Sequence, residues 1–212
     1  MSKTYDFIFK ALLHIVALVF LSFVLYYAKQ SYEYSINTVR PYNSIALYGD
    51  IDNELAAKVI KRIHELQDGS ENPIFICIDS NGGDVYAGLK IIDAMRASKR
   101  PIYTIAIGKA ESMAIYIHQY GVKRYMLPHS FFMLHNASVS FSDNPDAEKA
   151  LNRMTMIRYL IIDLNRNVSN RTGVPMQELA YRENNEWWIL PDEALARHFV
   201  DDVINPSYYP SK

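Results

Sequence analysis

The sequence predicts an α/β fold with a mostly parallel sheet. Continuous apolar runs that are typical of buried strands alternate with segments whose apolar positions recur at helical spacing. Turns that contain glycine separate the two kinds of segment, and no internal repeat is visible. Strands that alternate with helices are joined by crossover connections, which favour parallel pairing. Length and pattern together predict one such domain over residues 43–212.

The first half of this domain supplies three strands and two helices. Ser44 to Tyr48 is a short apolar strand, and the segment after it keeps one apolar face at a spacing near 3.6 residues. The run Ile74 to Ile78 has the continuous apolar character of a strand that is buried on both faces. A glycine turn leads into a helix from Val85 to Ala97, and Ile102 to Ile107 is the third strand.

The second half is richer in helices. Ser112 to Tyr120 is predicted to be a largely buried helix, and two short strands follow at Tyr125 to Leu127 and Phe131 to Leu134. From Ala147 to Val168, apolar positions at helical spacing predict one long amphipathic helix. Gly173 is predicted to end this helix, and Pro175 suits the first turn of the next one. A final helix is predicted from about Pro191 to His198.

The composition excludes several functional classes. The 212 residues include 22 Lys and Arg against 23 Asp and Glu, so the formal net charge is −1 and gives no electrostatic footprint for nucleic acid. Half of the residues are apolar and 13% are aromatic, which argues against a chain that is disordered throughout. The single cysteine, Cys77, excludes an internal disulfide and any metal site built from several thiolates.

Residues 1–28 are predicted to be an N-terminal transmembrane anchor, followed by a polar linker over 29–42. The stretch from Ala11 to Tyr27 is apolar except for His14, Ser22 and its terminal tyrosines, and its length approaches the ~20 residues that span a bilayer. A cleaved signal peptide is the alternative, but no A-x-A pattern follows the apolar run. The lysines before the span favour a cytoplasmic N-terminus, which would place the main domain on the extracytoplasmic side of a single-pass membrane protein.

The segment Asp79 to Asp84, with Gly82 and Gly83 at its centre, is the first place that could carry chemistry. It follows a buried strand directly and precedes a helix, and ligands of parallel sheets bind at the carboxyl ends of strands. Paired glycines allow backbone N–H groups to approach a ligand or a developing oxyanion. The same pattern is also compatible with an ordinary tight turn. It matches neither a phosphate-binding loop nor a dinucleotide fingerprint.

Ser112 and His135 are the other two candidates. Ser112 stands where a strand ends and a helix begins, so that the backbone N–H of Met113 and the helix dipole can stabilise negative charge beside it. A serine at this position also suits a simple helix N-cap. His135 closes the strand FFMLH and is either a general base or a structural, hydrogen-bonded histidine.

The motifs in their order resemble the ClpP family of serine peptidases. The matching segments are IFICIDSNGGDVYAGLKIIDAM, which begins at Ile74, and TIAIGKAESMAIYIHQYGVKRYMLPHSFFMLH, which ends at His135. The family pattern is a strand, a turn with two glycines, a second strand, a helix that begins Ser-Met, and a histidine at the end of a later strand. The resemblance extends from about Ser44 to Ile204 and implies the ClpP/crotonase-like spiral of repeated β-β-α units with a long handle helix.

The resemblance implies a role for individual residues. Ser112 matches the nucleophile and His135 the general base, while Gly83 and Met113 match the backbone donors of the oxyanion hole. Counting back without a gap from the helix at Glu193 places Glu186 at the position of the triad acid, and a shift of one residue would place Asn185 there. The implied reaction is hydrolysis of peptide bonds in a polypeptide substrate through an acyl-enzyme, without a metal or organic cofactor.

The resemblance also implies a homo-oligomer, because the handle helix of the family interdigitates between stacked rings. Two departures limit what can be transferred. The family's glycine-rich segment after the histidine is replaced here by NASVSFSD, and the predicted anchor replaces the N-terminal axial segment. Docking to an unfoldase ATPase is therefore not implied.

Three other functions remain open from the sequence. A membrane peptidase similar to signal peptide peptidase A would use a Ser-Lys pair, for which Lys149 and Lys109 are the candidates. An inactive homologue would retain the fold as an assembly or adaptor module. An acyl-CoA enzyme on the related crotonase fold would use the Gly-Gly turn to hold a thioester oxyanion, but it usually requires carboxylates where Ser112 and His135 stand.

Overall fold

A computed structural model describes residues 10, 14–24, 26, 43–137 and 146–204. The predicted α/β fold is confirmed, since within the described residues seven strands form one sheet with helices packed around it. The strands are β1 (Ser44–Ile51), β2 (Ile74–Gly83), β3 (Ile102–Glu111), β4 (Lys123–Met126), β5 (Phe131–Leu134), β6 (Trp187–Ile189) and β7 (Asp202–Val203). The helices are α1 (14–24), α2 (Asn53–Glu65), α3 (Val85–Ala97), α4 (Met113–Gln119), α5 (Ala147–Thr172), α6 (Met176–Glu183) and α7 (Pro191–Ala196).

The sheet is mostly parallel, as the alternation of strands and helices predicts. Its main path runs β1-β2-β3-β4-β7 with parallel neighbours throughout. Strand β5 also pairs in parallel with the far end of β3, and it pairs antiparallel with β6. Because β4 and β5 occupy successive portions of the same edge of β3, the sheet continues in two directions beyond that strand.

Local sequence signals explain where three of the helices begin and where one of them ends. Asp52, Asp84 and Asp146 are N-caps of α2, α3 and α5, and each side chain accepts a hydrogen bond from a backbone N–H of the first turn. Gly173 ends α5 in the left-handed conformation that a helix C-terminus commonly adopts, with φ of 77°. The capped helices cover the sheet with their apolar faces, and the buried core is rich in isoleucine.

Two strands extend beyond the apolar runs that predict them. Strand β2 continues through the predicted glycine turn to Gly83, and β3 continues to Glu111. An irregularity in the pairing after Ile78 lets the polar extensions remain hydrogen-bonded, with Ser80 opposite Ala110. The extension brings both sequence motifs to the ends of adjacent strands. Strands β6 and β7 are not predicted from the sequence, since three and two residues are too short to show a period.

The N-terminal helix α1 was predicted as part of a transmembrane anchor over residues 1–28. Much of that range lies outside the residues that the structure describes. Over residues 14–24 the side chains are exposed, and they include Leu18, Phe20 and Phe23. Across the described ranges, no helix combines the length with the apolar character that crossing a membrane requires.

Candidate active site

The candidate active site is a cavity at the carboxyl ends of β2, β3 and β5, beside the start of α4. It has a volume of about 180 Å³. Four of the five predicted site residues line this cavity, which therefore brings together residues that are up to 52 positions apart in the chain. The lining residues are Asn81, Gly83, Val85, Ser112, Met113, Tyr116, His135, Ala137 and Ile161.

Ser112 occupies the sharp junction between β3 and α4. Its backbone has φ of 52° and ψ of −122°, a conformation that is rarely adopted by a residue with a Cβ. A backbone hydrogen bond from Ser112 N–H to the Met133 carbonyl oxygen, 2.8 Å long, ties the junction to β5. The side chain makes no capping bond to α4. The sequence allows Ser112 to be a simple helix N-cap, but its hydroxyl does not make the hydrogen bond that such a cap would make.

Gly82 is required for the close approach of β2 to this junction. It has φ of +87°, and a Cβ added to it would lie 2.8 Å from the Ser112 Cβ and 2.9 Å from the Met113 backbone nitrogen. Both separations are far below van der Waals contact. Gly83, with φ of +146°, would have its Cβ directly against the Ile51 carbonyl. The paired glycines thus place the end of β2 against the serine in a way that larger residues would prevent.

Strand pairing brings His135 to Ser112. In the parallel register of β3 and β5, Met133 lies opposite Glu111, so the chain positions just beyond this pair, Ser112 and His135, emerge at the same edge. Both side chains line the cavity, and the imidazole is half-buried. The carboxyl end of β5 therefore supplies a titratable side chain to the strained serine.

Behind the cavity, Tyr116, Asn165 and Glu183 form a buried polar cluster. The Tyr116 hydroxyl lies 2.8 Å from Asn165 Oδ1 and 3.0 Å from Glu183 Oε1, and Asn165 Nδ2 donates to Glu183 Oε2 at 3.1 Å. Burial raises the pKa of Glu183, although the hydrogen bonds from Tyr116 and Asn165 and the charge of His135 act in the opposite direction. The backbone N–H of Asn136 donates to the Glu183 carbonyl oxygen at 3.0 Å, so the end of α6 lies beside the chain segment that carries His135.

Neither Tyr116 nor Glu183 is among the site residues predicted from the sequence. A signal for both was present in the helical spacing. Tyr116 stands one turn after Ser112, and Glu183 stands one turn after the buried Leu179 on the face of α6 that packs inward. A carboxylate on the apolar face of an amphipathic helix is unusual and is a reason to suspect a functional role.

Glu186, the predicted triad acid, is not brought to the cavity. It lies in the loop after α6 with φ of 53°, is exposed, and lines a separate surface depression together with Arg182 and Trp187. The alternative Asn185 lines the same depression, and its side chain donates to the Tyr181 carbonyl oxygen.

The lysines of the Ser-Lys alternative lie elsewhere too. Lys149 is in the first turn of α5 and forms a 2.8 Å ion pair with the exposed Asp146. Lys109 is on β3, where its backbone N–H donates to the Asp79 carboxylate, and it does not line the cavity. Among the described residues, no group of three or more histidine, cysteine, aspartate or glutamate side chains is placed to hold a metal ion.

Chemically, the cavity combines a serine hydroxyl, an imidazole and two backbone segments that approach one point. The N–H groups in the first turn of a helix have no acceptor within that helix, so Met113 N–H is available to a ligand. An imidazole is suited to take a proton from a hydroxyl near neutral pH. These components fit acyl transfer, in which a tetrahedral oxyanion forms beside the nucleophile.

Comparison with known proteins agrees with this geometry. The family model described as Clp protease matches residues 28–207. The ATP-dependent Clp protease proteolytic subunit of Deinococcus radiodurans is 32% identical over 161 residues, which cover 73% of this chain and 76% of that protein. Subunit 1 of the corresponding protein of Prochlorococcus marinus is 29% identical over 158 residues, with 73% of this chain and 80% of that protein covered. The chain therefore belongs to the Clp protease family and is a serine-type peptidase.

Proposed function

We propose that this peptidase is an endopeptidase that cleaves polypeptides through an acyl-enzyme on Ser112. The observation that carries the proposal is the shared cavity, in which a serine without a capping role lies beside His135 and the two glycines. His135 acts as general base and accepts the hydroxyl proton when Ser112 attacks the substrate carbonyl. The imidazolium then returns the proton to the leaving amine.

The oxyanion hole of the proposed mechanism consists of the backbone N–H groups of Gly83 and Met113. Both residues line the cavity with Ser112. The glycine at position 82 supports this assignment because it lets the end of β2 approach the Met113 nitrogen. A lost oxyanion donor costs about 3–4 kcal/mol of transition-state stabilisation in serine peptidases.

For the third member of the triad we propose Glu183 in place of Glu186. The Glu183 side chain is 4% exposed and its charge interacts with His135, whereas Glu186 lies in another depression. A carboxylate beside the imidazole stabilises the imidazolium that forms during attack and fixes the tautomer of the base. The sequence count that selects Glu186 assumes a loop without gaps, and an offset of three residues moves the acid position back to Glu183, the last residue of α6.

A homo-oligomer is part of the proposal and rests on α5. Nine of the first ten residues of this helix are exposed, Ala150 is partly exposed, and the first fully buried residue is Leu164. Apolar side chains on the exposed half include Leu151, Met156 and Tyr159, the last of which is 71% exposed. We propose that a second copy of the chain packs against these exposed apolar side chains.

Tyr159→Asp tests this interface. The variant is expected to have a lower mass by light scattering than wild type, and an unchanged mass would contradict the interface.

Membrane attachment through residues 1–28 stays a prediction from the sequence. Alkaline carbonate extraction of membranes from cells that express the full chain tests it. A protein that remains in the membrane pellet supports the anchor, and complete release into the supernatant contradicts it. An unfoldase partner is not part of the proposal.

The proposed mechanism is tested by hydrolysis of a fluorogenic peptide. Ser112→Ala and His135→Ala are expected to lose turnover, whereas His129→Ala, which changes an exposed histidine in the same region, is expected to retain it. Turnover that survives Ser112→Ala would exclude this serine as the nucleophile. Turnover that survives His135→Ala but is lost in a lysine variant would instead favour a Ser-Lys mechanism.

A further inference from the structure

Tyr116, Asn165 and Glu183 enclose a ring of three polar contacts, which we call the Tyr116 ring. The three side chains are 3%, 6% and 4% exposed and come from α4, α5 and α6. The contacts are Tyr116 to Asn165 at 2.8 Å, Tyr116 to Glu183 at 3.0 Å and Asn165 to Glu183 at 3.1 Å. All three lie within normal hydrogen-bond distance.

Three hydrogen bonds require three donated hydrogens, and only two are supplied if Glu183 is ionised. A tyrosine hydroxyl has one hydrogen, and the side-chain amide of Asn165 directs one of its groups to each neighbour. Exchanging the amide oxygen and nitrogen of Asn165 does not alter the count. The third hydrogen must therefore be the proton of a neutral Glu183 carboxyl group. All three contacts of the ring are satisfied together only in that state.

The state that catalysis requires is the ionised one. When Glu183 loses its proton, the Tyr116 hydroxyl can rotate so that its hydrogen points at Glu183 Oε1. The hydrogen bond from Tyr116 to Asn165 is then lost. A hydrogen bond to a charged oxygen is about twice as strong as one between neutral groups. The hydroxyl therefore stabilises the carboxylate more than it stabilises the acid.

We propose that Tyr116 is a positioning residue whose hydroxyl turns between Asn165 and Glu183, and that this turn allows a buried Glu183 to ionise beside His135. The inference rests on the proposed function, since it concerns the acid of the same triad. Tyr116 lines the cavity that holds Ser112, and its hydroxyl contacts Glu183 directly. It connects the nucleophile helix to the acid.

The groups around Glu183 indicate that the Tyr116 hydroxyl, rather than a nearby cation, stabilises the ionised carboxylate. Burial raises the pKa of Glu183, and burial with the nearby Glu183 raises that of Tyr116 well above its ordinary value, so the tyrosine remains a donor. From β5 the group that faces Glu183 is His135. Arg182, on the same helix, is committed to Glu178 at 2.8 Å, and Arg158 of α5 is exposed at the mouth of a neighbouring cavity that Glu183 also lines.

The test compares Tyr116→Phe with wild type across the pH range, with Tyr181→Phe as control. Tyr181 is on the same helix as Glu183 but is 71% exposed. Without the hydroxyl, the pKa of Glu183 should rise by about one unit, because a hydrogen bond to a charged group is lost. The kcat/KM for the fluorogenic peptide should then fall about tenfold on the acid side of the profile and approach wild type at alkaline pH.

A ratio of wild type to Tyr116→Phe that is the same at every pH would overturn the inference, since a merely structural role lowers activity uniformly. Failure of the proposed function would be recognised by a different result, because Ser112→Ala would then still hydrolyse the peptide. A titration of ¹³C-labelled glutamate followed by NMR, with the Glu183 resonance assigned by its loss in Glu183→Gln, decides the question without turnover. An equal Glu183 pKa in wild type and Tyr116→Phe overturns the inference.

Discussion

Helix α4 contributes side chains to two polar networks, and the two networks differ in the partners that they offer to a carboxyl group. One is the Tyr116 ring, which adjoins the cavity of Ser112. The other is built around His118 and Gln119, and none of its members lines that cavity. We call it the His118 network, and it consists of His118, Gln119, Arg124 and Asp201.

The His118 network pairs its charges within itself. His118 Nε2 donates to the Tyr125 carbonyl oxygen at 3.0 Å, and Gln119 Nε2 donates to the Phe199 carbonyl oxygen at 2.9 Å. Arg124 donates to Gln119 Oε1 at 2.8 Å and to Asp201 Oδ1 at 2.9 Å. The guanidinium is thus opposed by a carboxylate, and the network joins α4 to β4 and to the loop before β7.

The difference shows how burial serves stability in one place and chemistry in another. In the His118 network, an aspartate with an arginine partner has its pKa lowered: burial alone would raise it, but the hydrogen bonds and charge of Arg124 outweigh that effect. In the Tyr116 ring, the partners of the Glu183 side chain among the described residues are a hydroxyl and an amide, and burial raises the pKa of Glu183. A carboxyl group whose pKa is raised by burial is typical of functional sites, and this one lies behind the cavity of Ser112 and His135.

The largest effect is expected for Glu183→Gln. The amide keeps the shape of the carboxyl group but cannot stabilise the imidazolium, so kcat/KM for the fluorogenic peptide should fall by about 1,000-fold or more. Glu186→Gln, the matched control three residues later, should stay within about twofold of wild type, because this side chain is exposed outside the cavity. The opposite order of the two variants would return the triad role to Glu186.

Asp201→Ala should give the largest loss of stability. It leaves the Arg124 guanidinium, whose side chain is 5% exposed, without its carboxylate partner. Because the Asp201 side chain is 29% exposed, the cost should lie between that of a surface pair and that of a fully buried pair, at about 2 kcal/mol. Urea denaturation of the variant at neutral pH measures the change in the free energy of unfolding. A loss below about 1 kcal/mol would mean that the pair behaves as a surface pair.

The His118 network should also make the protein sensitive to mild acid. Burial, assisted by the charge of Arg124 and opposed by the bond to the Tyr125 carbonyl, lowers the pKa of His118 to about 3. In the unfolded chain this histidine binds a proton near pH 6.5, whereas in the folded chain it does so only near pH 3. The free energy of unfolding therefore decreases as the pH falls from 6.5 towards 3. At about pH 5 the loss should be about 2 kcal/mol.

His118→Gln tests this dependence, because glutamine can still donate to the Tyr125 carbonyl oxygen but does not titrate. Denaturation midpoints at about pH 7.5 and pH 5 should differ less for the variant than for wild type. If both proteins lose the same stability between the two pH values, His118 is not the group that causes the loss.

The smallest expected effect is a gain of stability in Glu183→Gln, and its pH dependence is opposite to that of His118. Because the pKa of Glu183 is raised on folding, the folded chain binds more protons than the unfolded chain above pH 4.5, and stability falls as the pH rises towards the folded pKa. In Glu183→Gln, an amide N–H supplies the third hydrogen of the Tyr116 ring, so no titrating proton is needed. Glu183→Gln should therefore be more stable than wild type at neutral pH, and this gain should shrink as the pH falls towards 4.5, as measured by thermal unfolding. A loss at neutral pH would contradict the proton count.

The sequence predicts which strand ends line the cavity better than it predicts which carboxyl group lies behind it. Gly83, Ser112 and His135 stand at ends of apolar strands, and parallel pairing brings such ends together whatever the lengths of the loops between them. The position of the buried Glu183 carboxyl group depends on how α6 packs against α4 and α5, which no local pattern specifies. An ungapped count therefore selects Glu186, which the loop after α6 directs into a different depression.

The remaining differences have similar causes. Strands β6 and β7 exist because β5 and β4 offer free edges, and their own residues show no strand period. The polar extensions of β2 and β3 stay in the sheet because β1 and β5 supply partners for them. Tertiary pairing thus overrides weak local propensity in the region that builds the site.

The central claim is that Ser112 is the nucleophile, and covalent labelling tests it most directly. The full-length protein is treated with a fluorophosphonate at neutral pH, digested and analysed by peptide mass spectrometry. The expected result is one adduct on Ser112, which is slow to form in His135→Ala and absent in Ser112→Ala. An adduct on a different serine, or labelling of wild type and Ser112→Ala to the same extent, would contradict the account.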